Sequence, residues 1–592
     1  MTIDQWIIFG TLAITLILFI SGRVRYDLVA LIALLIVTIT GIVPVESAFT
    51  GFGNPAVITV AAVLVLSKGL QNSGIIDVIG QRLSALKGGT TVQLAVLTVL
   101  IAFISAFMNN VGALALFLPV VLELARKKNL QASSLLMPLA FASLLGGMTT
   151  LIGTPPNIII SSYRQQATGK PFGMFDFTPV GLAVAIAGLL FIVLIGWRLI
   201  PKRDSQDTEQ HLFDIENYIT EVRVPSGSRL ADRAIREIRE FSQTSSTIIG
   251  ILRGSERRMD PSPLTKLRAG DVLVISADAD MIKQLVQLAG LELVGSKKIG
   301  QKDIESDDVT IWEVVVAPNS MMIGGTVRSI NLRAEYAVNL LAVSRQGVVL
   351  RKRIDNIRFK IGDVLLLQGH VNRYKETIES LGCLPLAGRS LKITPSRKLW
   401  PMLGIFLTAL LISAFGWLPI QLAFVAAVVI TIITKIVTLR EAYAAIDWPI
   451  LILLGAMIPV GEALETTGGA QLIANGLLHI SSQFTPAVSL LVILVATMFL
   501  SDLINNAATV VLMAPIGIGV ATGMNVAVEP YLIAVAIGAS CAFLTPIGHQ
   551  SNTLVMGPGG YKFSDYWRMG IIVELVVVLV SVPLILLFWP FH

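Results

Sequence analysis

The sequence predicts a polytopic α-helical membrane protein with two inverted-topology repeats and a soluble α+β insert between them. Three observations support this fold class: an uneven distribution of charge, apolar runs long enough to cross a bilayer, and landmarks that recur at a nearly constant offset. The chain has 592 residues, of which 54% are hydrophobic and only 14% are charged. Soluble domains usually contain about 25% charged residues, so a wholly soluble enzyme of this length is excluded.

The charged residues are concentrated in one segment. Residues 201–396 contain 53 of the 84 Lys, Arg, Asp and Glu residues, which leaves 31 for the other 396 residues. We therefore divide the chain into a first transmembrane repeat (1–200), an insert (201–396) and a second transmembrane repeat (397–592). The net charge of +6 is spread over the insert and the membrane flanks, so no nucleic-acid partner is expected.

About ten full spans and two re-entrant hairpins are predicted. A bilayer core needs about 20 apolar residues of helix. Two segments, 93–124 and 485–520, are long enough to cross but are interrupted by paired asparagines, and we interpret them as hairpins. The full spans are predicted at 6–21, 27–43, 56–70, 133–160, 179–200, 400–415, 421–438, 449–465, 531–557 and 570–590.

Loop charges predict the orientation. With both segments read as hairpins, most basic loop residues and the whole insert lie on one side, whereas the opposite loops contain only Arg164 and Lys170. By the positive-inside rule the basic side is cytoplasmic. The insert is then cytoplasmic, both termini lie outside, and we expect a multi-pass protein of the plasma membrane, in a bacterium the inner membrane.

The two apolar blocks resemble each other. Residues 103–110 followed by Pro119 match residues 499–506 followed by Pro515 at Phe, Ser, both Asn and Pro, with an offset of 396. The two hairpins would open to opposite sides, which is the inverted repeat of secondary transporters. Further pairs recur at offsets of 394 or 395, namely Pro55 with Pro449, Gly74 with Gly468, Gly153 with Gly548 and Asn157 with Asn552.

Two further segments, 154–156 and 545–548, contain prolines that interrupt a membrane helix, since proline removes a backbone donor and clashes with the preceding turn. Irregular backbone persists in a membrane only where protein or a water-filled site satisfies it. Interrupted helices expose carbonyls that coordinate cations and N-termini that attract anions. A single break is more often a kink, but four breaks in two matched pairs favour a binding site.

Other classes of membrane protein fit the sequence less well. A channel would need a selectivity-filter ring, which is not evident. A membrane enzyme would need catalytic or nucleotide-binding residues, and HExxH, GxSxG and GKS/T motifs are absent from the sequence. We therefore expect a transporter and not an enzyme, with a membrane sensor, in which an anion site controls the insert, as the alternative.

At these residues the sequence resembles the divalent anion–sodium symporter family of sulfate and dicarboxylate carriers, and its sulfate-permease-like branch in particular. The most specific stretches are 153–157, 545–553 and 557–561. The resemblance implies a homodimer with a scaffold and a moving transport part that works by alternating access. It also implies two sodium sites, each made by a hairpin and the facing unwound loop, and an anion between the hairpin tips.

The resemblance further implies which residues bind the ions. The first sodium site would consist of Ser105, Asn109, Asn110, Gly153 and Asn157, and the second of Ser501, Asn505, Asn506, Gly548 and Asn552, with Asp502 nearby. The anion would contact Asn110, Val111, Thr154, Asn506, Ala507, Ser551, Asn552 and Thr553.

The hairpin tips favour a small substrate. Dicarboxylate carriers of the family have Ser-Asn-Thr at both tips, whereas residues 109–111 and 505–507 read Asn-Asn-Val and Asn-Asn-Ala. We therefore expect sodium-coupled import of a small divalent oxyanion, with sulfate as the first candidate. One alternative is a carrier of a dicarboxylate or another oxyanion, and a further variant is coupling to protons instead of sodium. Asp502 is the preferred membrane carboxyl for cation or proton coupling, whereas Glu574 is expected to reach the interface.

The insert is itself duplicated. Residues 221–224 and 267–274 recur as 313–316 and 359–366, both at an offset of 92. Each copy is predicted to contain a strand, a helix and then short alternating strands, with the helices at 230–241 and 327–332.

Both copies, 201–299 and 300–396, resemble the TrkA C-terminal (RCK-C) domain. That resemblance implies dimerisation and, in some proteins, gating by a small ligand. We expect the insert to act as a passive dimerisation lobe. The alternative is a regulatory pocket that binds a nucleotide such as cyclic di-AMP.

Overall fold

The structure is a computed structural model, and most of the chain that it describes is helical. The described residues are 1–21, 23–74, 89–128, 130–201, 219–228, 230–235, 238, 247–254, 256–259, 261–262, 264–276, 290–294, 309–318, 320–346, 348–350, 356–386, 398–469, 472 and 485–592. The predicted domain boundaries near 201, 299 and 396 adjoin or fall within stretches outside these residues.

Within the described residues, the first block contains eight α-helices. They are α1 (Ile3–Ser21), α2 (Tyr26–Ile39), α3 (Pro55–Asn72), α4 (Thr90–Ser105), α5 (Asn110–Lys128), α6 (Ser133–Gly147), α7 (Pro155–Thr168) and α8 (Thr178–Leu194).

The insert and the second block contain the remaining described helices. In the insert these are α9 (Val327–Ile330), α10 (Leu332–Tyr336) and α11 (Tyr374–Leu381). In the second block they are α12 (Leu399–Ala414), α13 (Ile420–Ile433), α14 (Leu439–Ala445), α15 (Trp448–Thr466), α16 (Pro486–Leu503), α17 (Asn506–Gly523), α18 (Glu529–Ala539), α19 (Gln550–Met556) and α20 (Tyr566–Phe588).

Length and composition are those of a multi-pass membrane protein. Helices α2 and α13 have 14 residues each and are shorter than the predicted spans, because turns with positive φ follow at Gly41 and Lys435. Among the described residues, six helical segments are long and apolar enough to cross a membrane: Ile3–Ser21, Val45–Asn72, Trp448–Thr466, Pro486–Leu503, Asn506–Gly523 and Phe563–Phe588.

The predicted interruptions are confirmed. The segment 133–160 is divided into α6 and α7, and α7 begins at the two prolines, where proline is tolerated because the first helical N–H groups have no intrahelical acceptor. The segment 531–557 is likewise divided into α18 and α19. Both predicted hairpins break at the paired asparagines, between α4 and α5 and between α16 and α17.

Helices α6 and α18 lie at the centre of the two blocks. Nearly every residue of both helices is buried, as expected of helices that are apolar on all sides. Helix α7 packs against α17 and α18, and α19 packs against α5 and α6. The second segment of each interrupted helix therefore contacts a hairpin helix of the other block.

Within its described residues, the insert contains two five-stranded sheets with one topology. The first module has β1 (Ile219–Arg223), β2 (Thr247–Arg253), β3 (Glu256–Met259), β4 (Val272–Ser276) and β5 (Glu292–Leu293), in the order β3-β2-β4-β1-β5. The second module has β6 (Val309–Val316), β7 (Val338–Arg345), β8 (Val348–Val349), β9 (Val364–His370) and β10 (Cys383–Pro385), in the equivalent order β8-β7-β9-β6-β10.

The helices predicted in the modules differ from those observed. The segment 327–332 is not one helix, because Asn331 has a φ of 56° and separates α9 from α10. For the predicted helix 230–241, the described residues up to 235 form turns and a bridge between Ala234 and Lys266. Residues 236–237 and 239–241 lie outside the described part of the chain.

The insert packs directly on the membrane block. One face of the second sheet contributes Val315, Val364 and Leu366 to the apolar cluster that also contains the membrane helices. Burial of this face removes apolar surface from water, which stabilises the arrangement. Arg126 at the end of α5 also forms an ion pair with Glu313 of β6, with 3.3 Å between nitrogen and oxygen.

Candidate functional site

Each hairpin tip is held to the interruption of its own block by the same hydrogen bonds. The hydroxyl of Ser105, the last residue of α4, donates to the carbonyl oxygen of Ser143 (2.8 Å) and lies 2.7 Å from the side-chain amide of Asn110. In the second block Ser501 donates to the carbonyl oxygen of Ala539 (2.6 Å) and lies 3.0 Å from the amide of Asn506.

A threonine of each interruption closes the same junction from the other side. The hydroxyl of Thr150 donates to the carbonyl oxygen of Ala106, and the hydroxyl of Thr545 donates to that of Asp502. These pairs lie at offsets of 395 and 396, as the site residues do. The carbonyls exposed by the break in each hairpin are therefore satisfied by a side chain.

Glycine is required at the centre of both junctions. A Cβ atom at Gly153 would lie 2.9 Å from the carbonyl oxygens of Ser105 and Ala106, and one at Gly548 would overlap the carbonyl oxygen of Ser501 and lie 3.0 Å from the Cα of Asp502. Contacts below 3.0 Å are too short for real Cβ atoms, and both positions would have one. Gly153 and Gly548 thus permit a hairpin tip to contact the unwound backbone directly.

Asn157 and Asn552 present buried oxygen atoms that have no partner. The side-chain nitrogen of Asn157 donates to the carbonyl oxygen of Thr150 (2.8 Å), and that of Asn552 donates to those of Ala542 (2.7 Å) and Thr545 (3.1 Å). These bonds fix the amide orientation, so each Oδ1 points away from the carbonyls. Both side chains are at most 1% exposed, and neither Oδ1 accepts a hydrogen bond.

Two hydroxyls and an amide are similarly buried without partners. Thr154 precedes α7 and is 1% exposed, and Ser551 is fully buried in α19. The Oγ1 of Thr154, the Oγ of Ser551 and the Nδ2 of Asn506 make no hydrogen bond in the structure. Unpartnered polar groups in a protein interior cost free energy and need an explanation. A bound ligand supplies one.

Five of the predicted binding residues have local partners. The side-chain oxygens of Asn109 and Asn505 accept hydrogen bonds from the backbone N–H groups of Val111 (3.1 Å) and Ala507 (2.9 Å). The tip asparagines therefore cap α5 and α17, and these two N–H groups are occupied. The hydroxyl of Thr553 is also occupied, because it donates to the carbonyl oxygen of Pro546 (2.5 Å).

The second junction contains a pair of carboxyl groups. Asp502 is 3% exposed, and its Oδ1 accepts a hydrogen bond from the N–H of Leu544 (2.9 Å). The carboxyl group of Glu574 in α20 faces that of Asp502, and the Oδ2 of Asp502 and the Oε1 of Glu574 are both buried without another partner. The first block has Ala106 at the position matched to Asp502.

Sequence reasoning placed Glu574 at the interface, and this expectation was wrong. Glu574 lies eight residues after the start of α20, or about 12 Å along a helix that rises 1.5 Å per residue. That depth within a 23-residue apolar helix was the signal that could have identified it.

His549 lies next to the predicted site and caps α19, since its Nδ1 accepts a hydrogen bond from the N–H of Ser551 (3.0 Å).

The arrangement supplies acceptors for cations and donors for an anion. The oxygens of Asn157, Asn552 and Asp502 are ligands for hard cations. The hydroxyls of Thr154 and Ser551 and the amide nitrogen of Asn506 can donate to an oxyanion. The start of α7 adds a positive helix end next to Thr154.

Comparisons with known proteins find transporters. The citrate transporter family matches residues 16–538 of the chain. An uncharacterized transporter of Synechocystis sp. is 30% identical over 98% of this chain and 96% of its own length. The uncharacterized transporter YfbS of Escherichia coli is 31% identical over 99% of both chains. The probable sodium/sulfate cotransporter 3 of Chlamydomonas reinhardtii is 20% identical over 89% of this chain and 82% of its own.

Proposed function

This chain belongs to the citrate transporter family, and on that premise we propose that it imports a small divalent oxyanion, sulfate, together with sodium ions by alternating access. It is a multi-pass membrane transporter of a type that includes sodium/sulfate cotransporters. What we propose beyond this class is the identity of the substrate, the identity of the coupling ion and the direction of transport.

The main support is the pair of buried, unpartnered oxygens of Asn157 and Asn552. Each amide is oriented by hydrogen bonds from its nitrogen to carbonyls of the interruption, so that only an acceptor is presented. An isolated buried acceptor is unfavourable, and a hard cation such as sodium relieves the cost by binding to oxygen. One such oxygen in each block supports one cation site per block. The first site would lie next to Ser105 and Gly153, and the second next to Ser501 and Gly548.

The anion site lies between these cation sites in the proposal. Sulfate has only acceptor oxygens, and the hydroxyls of Thr154 and Ser551 and the amide of Asn506 have donors to give. No Lys or Arg occurs among the predicted binding residues. Since burial of an unpaired double charge is very costly, the bound cations must compensate much of the anion's charge. This requirement makes coupling obligatory.

The alternating-access part of the proposal rests on the repeated hydrogen bonds. Two hairpins that hold equivalent junctions from opposite sides of the membrane give each side its own access route. The proposal includes the cytoplasmic position of the insert, the external termini and a homodimer assembled through the membrane scaffold and the insert.

Radiolabelled sulfate uptake into proteoliposomes, with an inward sodium gradient or a matched potassium gradient, tests the proposal. We expect uptake only with sodium. Uptake that is independent of sodium would refute the coupling, and a pH gradient in its place would then test protons. Accumulation of citrate or succinate but not sulfate would favour the organic-anion alternative. Anion binding without net flux would identify a sensor.

Two variants connect the flux to the site. Asn157→Ala and Asn552→Ala should each lower the apparent sodium affinity by about tenfold or more, as expected when a group of a metal site is lost. The matched control is Asn72→Ala, because Asn72 lies at the end of α3 and its amide donates to Glu441 (3.0 Å) and not to a carbonyl of either junction. If the control and the two site variants behave alike, these oxygens do not bind the coupling ion.

A further inference from the structure

A turn of the second module contacts the helix that carries part of the proposed anion site. Gly362 precedes β9 and has a φ of +80°. A Cβ atom at this position would lie 2.5 Å from the carbonyl oxygen of Thr553 in α19, and a Cβ atom at Gly557, just after α19, would overlap the carbonyl oxygen of Gly362. The two backbones therefore pack against each other without intervening side chains.

Helix α19 is short, and site residues lie in its first turn. It has seven residues, or about two turns, and includes the unpartnered groups of Ser551 and Asn552. His549 caps its start, and the hydroxyl of Tyr566 donates to the carbonyl oxygen of Asn552 (2.7 Å). A shift at its end therefore moves the site residues, because a helix this short moves as one piece.

The same module also contacts the first hairpin. Its Glu313 pairs with Arg126 in the last turn of α5, the helix that begins at Asn110. Because both side chains are partly exposed, this ion pair contributes little stability. The apolar face with Val315 and Val364 and the Gly362 contact add to the docking surface. The second module thus bridges the two elements that carry site residues from the two blocks.

The first module offers a comparison within the same chain. Gly270 occupies the same turn, with a φ of +89°, and no heavy atom lies within 4 Å of a Cβ atom built there. Asp271 and Asp363, the next residues, each accept two hydrogen bonds from one arginine, Arg253 or Arg345. The modules thus form the same turn, but only the second of these two turns is docked on the membrane block.

We infer that the Gly362 turn is a positioning element for the site helix, so that displacement of the second module changes the affinity of the transport site for its ligands. The identity of these ligands, sulfate and sodium, rests on the proposed function, whereas the docking of the turn on α19 does not. A ligand or a partner subunit that moves the module would act on transport through this contact.

The test compares Gly362→Ala with Gly270→Ala in the full-length protein. Both changes place an alanine at positive φ, so both strain the turn equally, but only Gly362→Ala pushes on Thr553. We expect Gly362→Ala to raise the KM for radiolabelled sulfate, or the sodium concentration for half-maximal uptake, by about fivefold or more, a typical size for coupling between sites. Gly270→Ala should leave both values unchanged.

A second readout does not depend on the substrate. Hydrogen exchange of residues 550–557 should become faster in Gly362→Ala and stay as in the wild type in Gly270→Ala. If the wild-type protein fails to transport sulfate, the proposed function fails, and the exchange experiment still decides whether the turn positions α19. Unchanged exchange in Gly362→Ala, or a loss of turnover with both affinities unchanged, would overturn the inference.

A third variant covers misfolding of Gly362→Ala. Gly557→Ala creates the same conflict from the membrane side at a φ of −65°, which alanine adopts without strain. Gly404→Ala in α12 is its control, because a Cβ atom there meets nothing within 4 Å. Faster exchange of residues 550–557 in Gly557→Ala alone supports the inference, and equal exchange in both variants contradicts it.

Discussion

Asn157 and Asn552 lie at matched positions in the two membrane blocks and have the same environment. The side-chain nitrogen of each donates to the carbonyl oxygen of a matched threonine, Thr150 or Thr545, and the side-chain oxygen of each is buried without a partner. A polar core residue that only stabilises the fold would use both ends of its amide. The unused oxygens therefore support the proposed binding site over a pair of helix kinks.

Thr154→Val and Ser551→Ala should leave the unfolding free energy of the ligand-free protein unchanged or raise it. The reason is that each change removes a buried hydroxyl without a partner, which costs free energy in the folded state. The same variants should weaken sulfate binding, because a donor to the anion is lost. Thermal unfolding in detergent and the KM for sulfate uptake are the two measurements.

The control for these variants is Thr98→Val, whose hydroxyl donates to the carbonyl oxygen of Leu94 (2.8 Å). It should lose about 1 kcal/mol, the usual net contribution of a hydrogen bond, and keep its KM. If Thr154→Val instead lost stability and bound sulfate normally, its hydroxyl would have a structural function.

Asp502→Asn should raise the sodium concentration needed for half-maximal uptake. Asparagine keeps the size of the side chain and an oxygen that can accept from the N–H of Leu544, but it removes the formal negative charge beside the proposed second cation site. An increase of about tenfold corresponds to 1.4 kcal/mol of lost binding free energy. Sodium titration of sulfate uptake measures it.

Glu574→Gln is the companion variant. Its amide can donate to Asp502, which keeps a carboxylate at the site, so sodium affinity should be retained. An equal loss of affinity in both variants would mean that the carboxyl pair binds as a unit. An unchanged sodium dependence in Asp502→Asn would remove Asp502 from the cation site.

The first module should lose stability in acid through Asp271. Burial alone would raise the pKa of this carboxyl group, but hydrogen bonds from Arg253 and from the N–H of Arg268 lower the pKa below its ordinary value of 3.8. A lowered pKa in the folded state means that the carboxylate stabilises the module fully above the ordinary pKa. That contribution is lost as the pH falls through the lowered value.

Asp271→Asn measures this contribution. Hydrogen bonds to charged groups contribute about 1.5–3 kcal/mol, and the low end is expected because Arg253 is partly exposed. Protection factors of the amides of β4 in the full-length protein should therefore be about tenfold lower in the variant at neutral pH. The difference from the wild type should shrink below about pH 4. A difference that does not depend on pH would show that the charge of Asp271 is not responsible.

Much of the architecture could be predicted because it follows from local rules. Prolines and paired asparagines indicated where four membrane elements are interrupted, and the interruptions occur there. The offset of 92 residues in the insert likewise corresponds to two sheets of one strand order. The prediction of one helix at 327–332 was wrong, because Asn331 adopts positive φ, which asparagine tolerates better than most residues.

The sequence by itself determined the division into apolar blocks and insert, the duplications, and the segments from which the site is built, since composition and proline or glycine sterics act over a few residues. Only the tertiary structure decided which atoms of those segments are left without partners. Carbonyls from other helices orient the amides of Asn157 and Asn552, α20 brings Glu574 to Asp502, and one of two equivalent glycine turns is docked on α19. These contacts join residues far apart in the chain, and a periodic pattern does not encode them.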